Sequence, residues 1–127
     1  MKNDWKPKKR NAKHRNYGVD ISVDENGNPI YSPSTLRVRT GDKVTWCSQA
    51  GPFAVAFLQD SPFAEAGLHS QLKSKGVHAT ISKTIRAGAS IHNHYSVAVV
   101  DLRKGMDAAV IHLDCGCPEI VVSNDGN

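Results

Sequence analysis

The sequence predicts an all-β sandwich of seven or eight short strands, and three observations carry that expectation. Apolar residues alternate with polar ones at the period of a strand, as in Leu36-Arg37-Val38-Arg39 and Val44-Thr45-Trp46. Turn-forming residues punctuate these runs at short intervals. The length of 127 residues suits one domain large enough to bury a core without covalent staples.

Taken in order, residues 1–18 hold seven cations (Lys2, Lys6, Lys8, Lys9, Arg10, Lys13 and Arg15) against Asp4 alone, a net of +6. The whole chain carries +4, so residues 19–127 are net −2 and the basic character belongs to the arm. With few apolar residues and no period, the arm is expected to be mobile on its own. Trp5, His14 and Tyr17 lie among the cations, the mixture of charge and stacking surface that nucleic acid-binding arms use, and a solubilising tail is the plainer alternative. The domain proper runs over 19–123, followed by a polar tail at 124–127.

Val19, Ile21 and Val23 alternate with Asp20, Ser22 and Asp24 as the first strand, ended by the Asn26-Gly27 turn. Ile30 and Tyr31 re-enter β structure. Leu36 and Val38, then Val44 and Trp46, form two half-buried strands read as a hairpin around Gly41-Asp42. Phe53, Val55 and Phe57 give the next strand, with small Ala54 and Ala56 on its other face. Residues 61–75 change pattern and suit a short helical or irregular insertion, with Phe63, Leu68 and Leu72 as anchors. Val77, Ala79 and Ile81 resume the alternation, and Ala87-Gly88-Ala89 turns the chain. Ile91, Asn93, Tyr95, Val97 and Val99 then share one face of a strand, with His92, His94, Ser96 and Ala98 on the other. Residues 97–100 are apolar on both faces, as an interior strand is. A polar turn at 101–107, an apolar run at 108–113 and a loop at 114–118 lead to the last strand, 119–123.

The segments Tyr31-Ser32-Pro33, Leu36-x-Val38, Gly41-Asp42-x-Val44-Thr45-Trp46 and Phe53-Ala54-Val55-Ala56-Phe57 resemble the cupredoxin pattern of plastocyanin-like domains. Asp60-Ser61-Pro62-Phe63, His94-Tyr95-Ser96-Val97 and the closing Pro118-Glu119-Ile120-Val121-Val122 follow in the order of that family. The resemblance covers roughly residues 17–123 and implies a Greek-key sandwich. It also implies a blue-copper centre, which needs two imidazoles, a thiolate and an axial thioether. Here Phe53 stands where the family has its first histidine. The loop before the final strand, His112-Leu113-Asp114-Cys115-Gly116-Cys117, lacks a following His or Met, and Met106 precedes both cysteines. Type 1 copper is therefore not expected.

The same loop still places soft donors together. His112, Cys115 and Cys117, with Cys47 as a fourth, are candidate zinc or copper(I) ligands or a thiol-redox set, against plain core packing of free cysteines. Three cysteines argue against a disulfide framework and for a reducing compartment. His92 and His94 share a strand face and would cooperate with His112 only if their strands pair suitably.

No apolar run is long enough to span a bilayer, and the basic N-terminus leads into polar sequence instead of a signal core, so a cytoplasmic location is expected. No nucleophile turn, phosphate-cradling loop or metalloprotease helix appears, and no enzyme is expected. The sequence thus points to a non-enzymatic, cofactor-free interaction module. Its acidic partner, nucleic acid or protein, would meet Lys6, Lys8, Lys9, Arg10, Lys13, Arg15, Arg37 and Arg39. The alternatives are a soft-metal or thiol-redox protein using the Cys115/Cys117 loop, an electron-transfer relative with an atypical copper site, and a structural subunit that pairs its sheet edges with other copies.

Overall fold

Period-two alternation becomes ten short strands in the computed structural model, which describes residues 14–65, 67–70, 78–113 and 118–123. They are β1 Asn16–Val23, β2 Pro29–Ser32, β3 Thr35–Arg39, β4 Lys43–Ser48, β5 Phe53–Phe57, β6 Gly67–His69, β7 Ala79–Thr84, β8 His92–Asp101, β9 Val110–Leu113 and β10 Glu119–Ser123. The described residues hold no α-helix, only a 3-10 turn at Met106–Ala108.

The strands divide into two mixed sheets. The first has the order β2-β1-β4-β7, with β1 and β4 parallel. The second runs β3-β10-β8-β5-β6, with β3 and β10 parallel and β9 continuing the ladder on β8 beyond β10. β8 is the long interior strand: residues 92–94 pair with β10, 95–99 with β5, and 98–101 with β9.

The inner faces of both sheets meet in one apolar core. Val19 and Ile21 of β1 and Val44 and Trp46 of β4 face Val55 of β5, Tyr95 and Val97 of β8, and Ile120 and Val122 of β10. Trp46 lies edge-on to Phe63 at 5.6 Å and to Tyr95 at 5.7 Å between ring centroids, geometry that favours the ring quadrupoles. Its indole N–H donates to the Tyr95 hydroxyl at 3.3 Å, so the largest buried side chain spans the layers with its polar atom satisfied.

Two expectations are corrected. The strands either side of Gly41-Asp42 do not form a hairpin: β3 joins the second sheet and β4 the first, so the turn is a corner between layers. The cause lies at the turn itself. Gly41 takes φ +91° and donates its N–H to Ile85, Ile85 donates to the Asp42 carbonyl, and Lys43 donates to the Arg15 carbonyl, so neighbours outside β3 hold the corner. Ile91, expected on the inward face with Asn93, precedes β8 and is 54% exposed. The segment expected as a short helical or irregular insertion is irregular around Pro62-Phe63 and then forms the short strand β6, while residues 66 and 71–75, Leu72 among them, lie outside the described residues. Phe63, 2% exposed, is its anchor in the core.

Candidate functional site

Of the basic residues expected to meet a partner, Arg15 and Arg39 come together at the β3–β4 corner. Asp42 is only 4% exposed, and its two carboxylate oxygens accept the backbone N–H of Arg15 at 3.0 Å and of Arg39 at 2.9 Å. One buried carboxylate therefore ties the root of the N-terminal arm to the end of β3. His14 adds an imidazole 4.0 Å from the same carboxylate, and its ring covers Gly41 so closely that a β-carbon there would collide with it. Alternation along β3 buries Leu36 and Val38 and exposes Arg37 and Arg39, and Arg15 is exposed beside them. Lys6, Lys8, Lys9, Arg10 and Lys13 lie outside the described residues.

The soft-donor candidates fall in different places. Cys47, on β4 of the first sheet, has Asp20 and Thr80 as its ladder neighbours, and burial together with the Asp20 charge pushes its thiol pKa up, toward the less reactive protonated form. His112, on β9 of the second sheet, sets Nε2 3.3 Å from Asp101 and lays its ring against Gly27. Cys115 and Cys117 lie outside the described residues.

His112 belongs to a cleft of about 470 Å³ whose lining mixes charged Asp24, Glu25, Asp101, Arg103 and Lys104 with apolar Val23, Ala108 and Val110. Arg103 grips Asp101 with Nε at 2.9 Å and Nη2 at 2.7 Å, and those hydrogen bonds hold the Asp101 carboxyl well below the usual carboxylate range. Met106, Val110, Ile111 and Leu113, all more than half exposed, lie along the adjoining turn and β9.

His92 and His94 are not joined by His112, which sits opposite Val99, toward the other end of β8. The second sheet instead brings them Glu119. That carboxylate is 2.6 Å from His92 Nδ1 and 3.9 Å from His94 Nε2. The sequence showed the two imidazoles on one face, but the partner depends on the β8–β10 register. Among the described residues no helix is long and apolar enough to cross a membrane. No protein-family model matches the chain, and neither does any curated protein.

Proposed function

We propose that the chain is a non-enzymatic, cupredoxin-like Greek-key interaction module without type 1 copper, acting in the cytoplasm by binding an acidic partner, nucleic acid in preference. One observation carries the reading: Asp42 fastens the backbones of Arg15 and Arg39 to a single carboxylate, so Arg15, where the basic stretch joins the domain, lies beside the exposed Arg37/Arg39 edge. Clustered cations are what counterion release from a phosphate backbone rewards. The copper-free aspect rests on Phe53, whose ring is 3% exposed within the core where the resemblance would put an imidazole.

The test is fluorescence anisotropy with short single-stranded RNA and DNA over a range of salt. Arg37→Glu with Arg39→Glu should weaken binding at low salt by about tenfold or more and flatten the dependence of log affinity on log salt, since each lost phosphate contact lowers the slope by roughly one. Affinity and slope equal to those of the parent chain would refute the reading. Self-association is the second reading, favoured by β9, which pairs with β8 alone among the described strands while exposing Val110, Ile111 and Leu113. Concentration-dependent sedimentation separates the two.

A further inference from the structure

The basic surface makes no use of the cleft beside His112. Two connections border that cleft: the turn after β1 supplies Asp24, Glu25 and Gly27, and the link from β8 to β9 supplies Arg103, Lys104 and Ala108. Its volume of about 470 Å³ falls within the roughly 300–1,000 Å³ of small-molecule sites. Gly27 takes φ +83°, and a β-carbon there would stand 3.1 Å from His112 Nδ1, so glycine leaves room for the ring. The charges of the lining divide into spent and free. Asp101 Oδ1 accepts the backbone N–H of Arg103 at 3.1 Å and its Nε at 2.9 Å, Oδ2 accepts Nη2 at 2.7 Å, and His112 Nε2 lies 3.3 Å from Oδ2. That set pairs off the Arg103 charge and fixes the imidazole. Left over are Asp24 and Glu25 on one connection and the Lys104 ammonium on the other. Asp24 Oδ1 accepts the backbone N–H groups of Asn28 and Asn26, each at 2.9 Å, which favours its charged form. Among the described residues neither Glu25 nor Lys104 has an ion-pair partner, so opposite charges border the cleft without bridging it.

We infer that this cleft binds a compact zwitterion, an α-amino acid with a short apolar side chain. The ligand's carboxylate meets Lys104, its ammonium meets Asp24 and Glu25, and its side chain rests on Val23, Ala108 and Val110, all of which line the cleft. A ligand with only one charge fits less well. An amine forfeits Lys104, and a carboxylate faces the repulsion of Asp24 and Glu25 with no ammonium to offset it. Exposed charges are each weak in water, so the affinity is about millimolar. The site shares no residue with the Arg15, Arg37 and Arg39 surface and stands independently of it.

The full chain, labelled with nitrogen-15, is titrated by two-dimensional amide NMR with L-valine and, in parallel, with isobutylamine and isovalerate, which keep the side chain of valine and one charge each. Saturable shifts at millimolar valine are expected, centred on the amides of residues 23–27 and 101–112. The two single-charge probes should bind about fivefold more weakly or worse, and Lys104→Ala and Glu25→Gln should each weaken valine binding similarly. The dispersion of the same spectra shows whether each variant is folded. Arg37→Glu with Arg39→Glu should leave valine binding unchanged, which separates this site from the basic surface. The inference is overturned by shifts that do not saturate up to about 50 mM valine or that lie outside the cleft. Single-charge probes binding as tightly as valine, or parental affinity in both cleft variants, would overturn it equally.

Discussion

Asp42 is the residue on which the basic corner depends, because its two oxygens satisfy two backbone donors from distant parts of the chain. Asp42→Ala leaves both N–H groups without that acceptor and should lower stability by about 3 kcal/mol, with Asp42→Asn costing about half as much, measured by urea denaturation. Gly51 is constrained differently: a β-carbon there would run into the Val100 carbonyl oxygen, part of the backbone that carries the Val100-to-Pro52 bond of 2.8 Å. Gly51→Ala should therefore destabilise by roughly 3 kcal/mol or unfold the chain, visible in thermal melts. Asp101 makes a pH prediction. The Arg103 hydrogen bonds put its folded pKa below that of the unfolded chain, so its contribution is complete above the unfolded value of about 3.9 and is lost as pH falls through the lower folded one. The melting temperatures of the parent and Asp101→Asn should thus differ most near neutral pH and converge in strong acid.

At the scale of elements, period two told which side chains face inward but not which strand lies alongside. Leu36, Val38, Val44 and Trp46 are all buried as their alternation implies, yet the same pattern serves a hairpin or a corner between sheets, and only the contacts of Gly41, Asp42 and Ile85 decide. Arg37 and Arg39 were legible as exposed for the same reason. Glu119 was not legible as the neighbour of His92 and His94, because its closeness follows from a register between strands far apart in sequence. The apolar run at 108–113 supplies β9, on which Ile111 is 64% exposed. Ile111→Lys should change stability by less than about 0.5 kcal/mol while reducing any self-association seen in sedimentation.

For the molecule as a whole, the length and turn spacing sufficed to foresee a two-layered β domain, and the structure has more strands than the seven or eight expected because the insertion supplies β6 and residues 108–113 supply β9. Within the stretch read as the arm, Arg15 is bonded through both its N–H and its carbonyl and β1 begins at Asn16. Removing residues 2–13 should leave the melting temperature of the remainder nearly intact, whereas removing residues 2–15 should lower it by several degrees, a comparison that scanning calorimetry makes directly.

The parallel pairing of β3 with β10 has a consequence during biosynthesis. Thr35 meets Glu119, and β10 lies between β3 and β8, so the second sheet cannot close until residues 119–123 have left the ribosome. Until then β3 and β8 would each wait with an unfilled edge, Arg37 and Arg39 lining one and His92 and His94 the other. Charged and ionisable side chains along those waiting edges discourage pairing between nascent chains, a safeguard suited to a topology whose distant partners make folding slow.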